Sequence, residues 1–505
     1  MNKTILTSAS LMALAIAAPA AAQSTSTVSQ TGNNNAAAVS QNGGNASDVD
    51  QDGNANRATV TQTGSSTSTI DQDGTNNRAS TTQNTADGIA SVLQDGADNV
   101  SAITQNDTSA SPSDDPQALV VQQGIANASR VNQSNLVGSF NLVATVDQLG
   151  DDNSSFVEQT ATGVGAGDLN ASVTQSDGAT STIFQSAIAP GAVNQTAIVI
   201  QDGPNSSDIT QTFVLDNSNT FLATVNQSGT DNLSSITQSD LGPLFLPLPD
   251  AFMTASVTQS GNGNSSQLDQ LNREQVATIV QSGDDNTSIA SQTFSTNRLT
   301  VTQSGNNNLS DIDQAHLSSS TTTVVQDADN GDSTVVQSGR FDLVFVNQLF
   351  GANNSSSSVT QNGNTILAPT FNYAEINQSG EGSQSAITQT NFDNSAIVDQ
   401  SGFSNASTIE QIGTVAEAGN TATVDQSGEG GSSDVFQEGS LNLAALDQQG
   451  EDNTASVSQD GTGNDSDILQ TGAFNTATVT QTNASNVSNI IQSGIGSTAT
   501  VTQGS

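Results

Sequence analysis

Hydrophobic and polar residues alternate with a period of two along nearly the whole chain. In the stretch NTATVTQ (475–481), the odd-numbered positions hold asparagine, alanine, valine and glutamine, whereas the even-numbered positions hold threonine. Because residues two apart on a β-strand share a face, the pattern predicts a strand whose apolar face also carries amides. Buried amides are costly unless they are hydrogen bonded, so the fold has to supply partners for them.

A glutamine that follows Val, Ile or Leu by two residues recurs at about 40 places, mostly ten or eleven residues apart. Such a period is typical of repeat architectures. Near the C-terminus the spacing is eleven without interruption, at Gln426, Gln437, Gln448, Gln459, Gln470, Gln481, Gln492 and Gln503. An asparagine stands six residues before several of these glutamines and shares their face, at Asn453, Asn464, Asn475 and Asn486.

Short segments that contain glycine separate the predicted strands. The glycine stands two residues after the glutamine, at Gly428, Gly439, Gly450, Gly461, Gly472 and Gly494. Glycine accepts a positive φ, so these segments are predicted to be tight arcs. Carboxylates lie one or three residues before a glutamine, as at Asp425 and Asp434, or within the arcs. The charges therefore fall on the face opposite valine and glutamine, which we expect to be the outer face.

The residue four before each glutamine alternates between alanine and serine, so two successive strands form one repeat of about 22 residues. We therefore predict an all-β fold, a parallel two-sheet β-solenoid of roughly 20 strand–arc–strand coils. In such a stack every inward amide lies over an identical amide one coil away, and ladders of Asn and Gln recur in cross-β structures. Gln470 and Gln492 are predicted to share one ladder, and Gln481 to belong to the opposite one.

The chain divides into a signal peptide and one long repeat region. Lys3, an apolar run and Ala20–Ala22 have the order of a secretory signal, so we predict cleavage after Ala22, with residues 1–22 removed. Residues 23–505 form the repeat region. Proline is absent from the four residues before each glutamine and occurs mostly where the spacing is stretched. These stretches predict loops inserted between strands near 106–117, 134–144, 160–170, 186–196, 239–253, 362–372 and 412–420.

Charge and composition exclude several classes of function. The chain has 49 acidic residues and a formal net charge of −42, and its only lysine is Lys3. Such a surface disfavours nucleic acid and anionic lipid as partners. No segment after the signal is long and apolar enough to span a membrane as a helix. The chain has no cysteine, so disulfides do not hold the fold.

No constellation of residues indicates catalysis, a cofactor or a metal, so we expect no enzyme. His316 is the single histidine and is predicted to be an exposed arc residue. The Gly-Gly-x-Gly-x-Asp repeat of calcium-binding β-rolls is absent, so the aspartates indicate turns rather than calcium ligands.

Rows of outward threonine provide an alternative function. Thr476–Thr480 and Thr498–Thr502 alternate with inward residues, and flat ranks of threonine on a β-solenoid can bind ice. The alternative is therefore a monomeric acidic β-solenoid that acts as an adhesin or an ice-binding surface. Threonine is also simply a favourable outward strand residue, and the rows are irregular.

The motif Ser/Ala-x-Val/Ile-x-Gln, a glycine arc and Asn-x-Ala/Ser-x-Val/Ile-x-Gln resembles the curlin repeat of bacterial curli subunits. Ser466, Gln470, Asn475 and Gln481 occupy the inward positions of that motif, and the resemblance covers nearly all residues after the predicted signal. The chain departs from the family in its many repeats, in its arcs with a single glycine and in loops such as Leu241–Phe252.

The resemblance implies a secreted structural subunit of extracellular, curli-like amyloid fibres, which function in biofilm matrix and surface adhesion. It also implies an outer-membrane secretion channel and a nucleator subunit as partners, in addition to further copies of the chain. The last unit, TATVTQ (498–503), is followed by neither a capping helix nor a proline. We therefore expect chain-to-chain stacking through terminal coils.

Overall fold

The computed structural model describes eleven stretches of the chain. The predicted signal peptide 1–22, His316 and most of the loop 241–252 lie outside them. The described residues are 23–108, 115–136, 139–163, 166–188, 192–214, 219–240, 251–294, 296–315, 319–363, 371–414 and 418–504.

The described residues contain 40 β-strands and no helix, and strands of odd and even number form two separate sheets. The odd sheet consists of β1 Thr25–Asn33, β3 Ala46–Asn54, β5 Thr67–Thr75, β7 Ile89–Ala97, β9 Gln117–Ile125, β11 Ser139–Leu149, β13 Ala166–Ser176, β15 Ala192–Asp202, β17 Asn219–Thr230, β19 Ala251–Asn262, β21 Gln275–Ser282, β23 Arg298–Gln303, β25 Thr321–Gln326, β27 Leu343–Gln348, β29 Tyr373–Gln378, β31 Ser395–Gln400, β33 Thr421–Gln426, β35 Leu443–Gln448, β37 Asp465–Gln470 and β39 Val487–Gln492.

The even sheet is built in the same way. It consists of β2 Ala36–Gly43, β4 Arg57–Gly64, β6 Arg78–Thr85, β8 Val100–Asp107, β10 Ala128–Asn135, β12 Ser154–Ala161, β14 Thr180–Ala187, β16 Ser206–Phe213, β18 Leu233–Asp240, β20 Ser265–Leu271, β22 Thr287–Thr293, β24 Leu309–Ala315, β26 Asp332–Gln337, β28 Ser356–Asn362, β30 Gln384–Thr390, β32 Ala406–Gly413, β34 Ser432–Ser440, β36 Thr454–Thr462, β38 Thr476–Ala484 and β40 Thr498–Gln503.

Each strand pairs in parallel with the strand two places further along the chain. The register places every anchor glutamine on the next, as Gln470 on Gln492 and Gln481 on Gln503. This arrangement confirms the predicted two-sheet β-solenoid. The coils are less uniform than the predicted 22 residues, because successive glutamines of one ladder lie 21 residues apart at Gln30 and 32 apart at Gln227.

A thin core runs between the sheets along the whole rod. Its inner positions are alanine or serine, then valine or isoleucine, and outward positions of the same strands are half-buried or exposed. At the position four before the glutamine, one sheet commonly has serine where the other has alanine, as at Ser433 on β34 and Ala422 on β33. The breaks in alternation at Ala79 and Ala90 and at Ala444 and Ala455 mark places where serine changes sheets. Small side chains at this position let two sheets approach closely.

The rod is wider over residues 128–262, which we call the widened section. The odd strands there run for 11 or 12 residues, compared with six in β37 and β39. Parts of the segments predicted as loops near 134–144, 160–170, 186–196 and 239–253 are therefore strand. The added residues bury apolar side chains in a second cluster beside the main core: Phe140, Leu142, Ala161, Leu169, Ala187, Val193, Phe213, Phe221 and Met253.

Insertions occur on only one edge of the rod. The eight longest spacings between successive glutamines all connect an even strand to the following odd strand; they comprise the seven predicted loops and the connection from β16 to β17. Connections from an odd to an even strand contain between two residues (34–35) and seven residues (349–355). The solenoid therefore has one smooth edge and one edge that carries the inserted segments.

Candidate assembly surface: amide ladders and terminal coils

Two continuous ladders of glutamine run inside the solenoid, one along each sheet. In each ladder 20 glutamines are joined by 19 hydrogen bonds, in which Nε2 of one residue donates to Oε1 of the glutamine one coil later. The distances are 2.6–3.0 Å in the odd sheet. They are 2.8–3.0 Å in the even sheet.

The predicted ladder residues occupy these positions at the C-terminal end. Gln426, Gln448, Gln470 and Gln492 lie in the odd sheet, and Gln437, Gln459, Gln481 and Gln503 lie in the even sheet. All are at least nine-tenths buried except Gln503, which is half-exposed on the last strand.

Each amide also uses its second N–H. Nε2 of Gln470 donates to the carbonyl oxygen of Thr454 at 3.1 Å, and Nε2 of Gln481 donates to that of Asp465 at 2.9 Å. Both hydrogens of a ladder amide therefore have acceptors, which removes the main cost of burying it. Because all bonds of one ladder point the same way, the amides polarise one another along the rod.

Asparagines form a second type of ladder where the arcs enter the strands. The backbone N–H and the Nδ2 of Asn475 both donate to Oδ1 of Asn453, at 3.0 and 3.1 Å. Asn486 donates to Asn464 in the same way, at 3.1 and 2.9 Å. Nδ2 of Asn475 also donates to the carbonyl oxygen of Gly494, so this side chain ties its own arc to the next one at 2.9 Å.

The arc glycines serve two physical purposes, of which positive φ is only one. Gly439, Gly450 and Gly461 have φ of 118°, 119° and 127°. Gly428 and Gly472 have no positive φ, but a Cβ at either would collide with the backbone carbonyl of the glycine stacked on it. The close stacking of arcs thus requires glycine even where φ does not. The local sequence does not show this requirement, because the contact joins two different coils.

The smooth edge carries a further ladder that the sequence pattern did not reveal. In five successive arcs a backbone N–H donates to the Asx side chain of the next arc, with distances of 2.7–3.3 Å. The accepting oxygens belong to Asn262, Asp284, Asn306, Asp329 and Asn353. An Asx residue recurring one place after the arc glycine, as at Asn262 and Asp284, is the sequence signal that could have identified it.

Outward carboxylates stack on one another because the strands are in register. Asp399, Asp425 and Asp447 lie on three successive strands of the odd sheet. Partial burial raises the pKa of Asp425, and the charges of Asp447 and Asp399 raise it further. Folded or assembled coils therefore hold protons more tightly at such positions than separate chains do.

One aspartate is buried within an asparagine column. Asp342 is 1% exposed, and its Oδ1 accepts from Nδ2 of Asn372 at 3.2 Å. Burial raises the pKa of Asp342 to about 7, although the hydrogen bonds from Asn372 act in the opposite direction. This carboxyl is therefore partly protonated at neutral pH.

The outermost coils of the described residues expose the inner pattern. Ala37 and Val39 on β2, and Ala499 and Val501 on β40, pack on the main core but are only partly buried. Large apolar side chains are also exposed on and beside β39, where Val487 is 65%, Ile491 68% and Ile495 80% exposed. These terminal coils present incomplete core and unpaired strand edges, which is the surface on which another strand can add.

The threonine rows are short. Thr476, Thr478 and Thr480 on β38 lie beside the threonines of β40, but β36 carries serines at the last two of these positions. The rows therefore extend over two strands, or three at the position of Thr454, which is a small surface for an ice-binding role.

The part of the chain that the structure describes contains no metal-binding cluster and no membrane-spanning helix. Among those residues, no three His, Cys, Asp or Glu side chains converge on a position that could hold a metal ion. They also form no helix long and apolar enough to cross a bilayer.

The comparison with protein families identifies the repeat. The family model of the curlin-associated repeat matches residues 393–428, 432–461 and 450–482. These three matches cover less than a fifth of the chain, and they show that its C-terminal coils are similar to the curlin-associated repeat. The matched residues extend from β31 to β38, and their ladder geometry is that of the coils before and after them.

The curlin-repeat family is structural rather than enzymatic, and the fold and repeat are consistent with a curli-like structural subunit. A sequence search among curated proteins gave no match.

Proposed function

We propose that this curlin-repeat chain is a secreted subunit that assembles end to end into extracellular, curli-like amyloid fibres. The observation that carries the proposal is the pair of glutamine ladders, which reach the first and last strand of each sheet without a missing bond. A ladder of this kind can be extended by any strand that offers a glutamine in register, and a second copy of the chain offers one in each sheet.

The two ends of each ladder have complementary hydrogen-bonding groups. Donation always runs toward the higher residue number, so among the described residues Oε1 of Gln41 receives no donor. Nε2 of Gln503 donates only to the carbonyl oxygen of Val487, at 2.8 Å, which leaves one of its N–H groups unused. A copy stacked with β1 on β39 and β2 on β40 would join Gln503 to Gln41.

The same stacking would complete the apolar core. It places Val39 of one copy against Val501 of the other, and Ala37 against Ala499. All four are only partly buried at the ends of the described residues. The exposed Val487 and Ile491 of β39 would gain a neighbouring strand. Removal of this apolar surface from water favours association.

Secretion is a prediction from the residue pattern of the N-terminal signal, and the helper proteins are predictions from the family resemblance. These predictions comprise the signal at residues 1–22, an outer-membrane channel and a nucleator subunit. Function in biofilm matrix and adhesion follows from the same resemblance.

The proposal is tested by incubating the chain that begins at Gln23 and examining it by electron microscopy and a dye that binds amyloid. We expect fibres many times longer than one rod, with a 4.7–4.8 Å meridional reflection. Val501→Asp places a charge on the inner face of the last strand and should abolish elongation, whereas Thr502→Asp on its exposed outer face should permit it. A chain that stays monomeric at high concentration, acid pH and high salt would refute the proposal.

A further inference from the structure

We propose that the widened section, residues 128–262, is the folding nucleus of this chain, from which the regular coils form in both directions. In the fibre, which rests on the proposed function, this nucleus sets the lag time of assembly without seeds. The regular coils then supply the surface for elongation.

Regular coils have few contacts that would let one of them fold before the others. Between β37 and β39 only six residues are paired, and the inner face of β37 offers Ser466, Ile468 and Gln470. Repeats of this type cannot bury their inner face until a neighbour has stacked on it. The first coil to form therefore loses conformational entropy before it gains contacts.

The widened section adds a second core to the same ladder. Phe140, Phe213 and Phe221 belong to this core and are among the largest fully buried side chains of the described residues. The odd strands contribute Leu142, Leu169, Phe221 and Met253 at the position six before the glutamine, where regular coils have asparagine. These coils thus bury far more apolar surface than the others, and the burial of apolar surface is the main force that favours folding.

The second core is closed at both ends by polar residues. In the even strands the residue two after the glutamine is, in order, Asn135, Ala161, Ala187, Phe213 and Asp240. Nδ2 of Asn135 donates to the carbonyl oxygen of Phe140 at 3.4 Å. Asp240 forms an ion pair with Arg273 of the next coil at 3.5 Å, and both are buried. A bounded apolar core of this kind is a unit that can form before the coils on either side.

The contacts of this core are local in the sequence. The rings of Phe213 and Phe221 meet edge to face with centroids 6.2 Å apart, although only eight residues separate them. Ala161 and Leu169 are likewise eight residues apart, and Ala187 and Val193 are six apart, within the same cluster. Closing a short loop costs little entropy. Such contacts therefore form earlier than the glutamine ladders, whose hydrogen bonds join residues 21 to 32 apart in the chain.

The backbone pairing is also longest here. The registers β11–β13 and β13–β15 each join 11 residues, and β17–β19 joins 12. The register β35–β37 in the regular part joins six. Once one pair of long strands has formed, the next long strand finds more backbone partners than a regular strand does, since regular pairs join six residues in β35–β37 and nine in β3–β5.

Pulse-labelling hydrogen exchange during refolding of the complete chain from Gln23 tests the order of folding directly. We expect backbone amides of β11–β19 to gain protection before those of β3–β7 and β31–β39. Simultaneous protection along the rod, or earlier protection at either end, would overturn the proposal. This measurement needs no substitution and no fibres, so it remains decisive if the proposed assembly itself proves wrong.

A matched pair of core variants tests the effect on assembly. Phe221→Ala removes a ring from the second core, whereas Val479→Ala trims an equally buried residue of β38 in the regular core. Phe221→Ala should lengthen the lag without seeds by about tenfold or more, with seeded elongation changed by less than about twofold. Val479→Ala should leave the lag within about twofold of the unmodified chain. Equal lags for the two variants, or a seeded defect as large as the unseeded one in Phe221→Ala, would contradict the proposal.

Discussion

The widened section and the C-terminal section, residues 443–503, contain the same glutamine ladders but close the edge of the coil differently. In the C-terminal section Asn464 and Asn486 stack at the start of the odd strands and tie one arc to the next. In the widened section the equivalent positions hold residues such as Leu142 and Phe221, which build a second apolar core. The ladder therefore does not depend on how the edge is closed.

The difference shows two ways of stabilising one backbone arrangement. An asparagine column relies on directional hydrogen bonds and accepts any number of identical coils. An apolar core is non-directional and gains most where several large side chains meet, so it concentrates stability in one place. The C-terminal section is thus suited to repetition, and the widened section to fixing where the repetition begins.

The largest expected contrast comes from the apolar cores. Phe140→Ala should destabilise the widened section by about 3–5 kcal/mol, because the site is fully buried and a cavity remains. Val479→Ala should cost the C-terminal section about 2 kcal/mol. Native-state hydrogen exchange of β11–β15 and of β36–β40 measures both. Equal losses of stability in the two sections would mean that the second core stabilises the fold no more than the regular core does.

Ladder glutamines should be more sensitive than buried glutamines outside the ladder. Gln470→Leu leaves one N–H of Gln448 and the Oε1 of Gln492 without their ladder partner, so we expect a loss of about 2–4 kcal/mol. Gln195 is equally buried in the widened section, but its amide bonds only the carbonyl oxygen of Ser186. Gln195→Leu should cost about 1 kcal/mol, and denaturant titration with local exchange distinguishes the two. If Gln470→Leu cost no more stability than Gln195→Leu, the ladder would contribute no more than ordinary core packing.

Glycine substitutions should separate backbone strain from close stacking. Gly178 in the widened section has a φ of 83° and ordinary space around it, so Gly178→Ala should cost about 1–2 kcal/mol of strain. Gly461 has a φ of 127°, and a Cβ there would collide with the carbonyl oxygen of Asn483. Because of this collision, Gly461→Ala should cost about 1–3 kcal/mol more than Gly178→Ala. Thermal unfolding of the two variants provides the comparison, and identical midpoints would exclude a role for arc stacking.

The asparagine column should respond to pH at the one place where an aspartate replaces asparagine. The pKa of Asp342 is raised to about 7 in the fold, whereas an aspartate in an unfolded chain titrates near about 4. The folded state therefore binds the proton more tightly, and stability around β25–β29 should fall as pH rises from about 4 through 7. Local hydrogen exchange at pH 6 and 8 should show this fall in the natural chain. Asp342→Asn should remove it, and a persistent pH dependence in that variant would assign the effect to another group.

The smallest effect is expected from outward carboxylates. Asp425→Asn should change stability by less than about 1 kcal/mol, because the side chain is exposed. Fibre growth should nevertheless accelerate as the pH falls toward about 4 or salt is added, because both weaken repulsion between stacked charges such as Asp399 and Asp447. Growth rates measured across pH and salt check this expectation, and rates indifferent to both would refute it.

Much of the regular coil could be predicted because the information is local. The alternation in NTATVTQ (475–481) assigns each side chain to a face, and the spacing of eleven repeats that assignment without drift. Gln470 and Gln481 could therefore be placed on opposite sheets before any contact was known. The same pattern places Asp425 outside, where the structure shows it exposed.

The widened section could not be predicted in this way. The long spacings between its glutamines are typical of inserted loops. The apolar residues within those spacings do not recur with the period of the repeat. Three successive even strands hold Ala161, Ala187 and Phe213 at the place of the arc glycine, and these apolar residues were a signal in the sequence. Whether Phe213 and Phe221 packed on the rod or projected from it depended on the neighbouring coils, which local patterns do not describe.

The sequence by itself determined which side chains point inward and the length of the regular repeat, because a period of two and a period of eleven are properties of neighbouring residues. Only the tertiary structure decided what those side chains meet. Insertions collect on one edge, Gly472 is required by the arc above it, and Phe140 joins a second core. The reason is physical: each of these contacts joins residues in different coils, and stacking rather than local conformation brings them together.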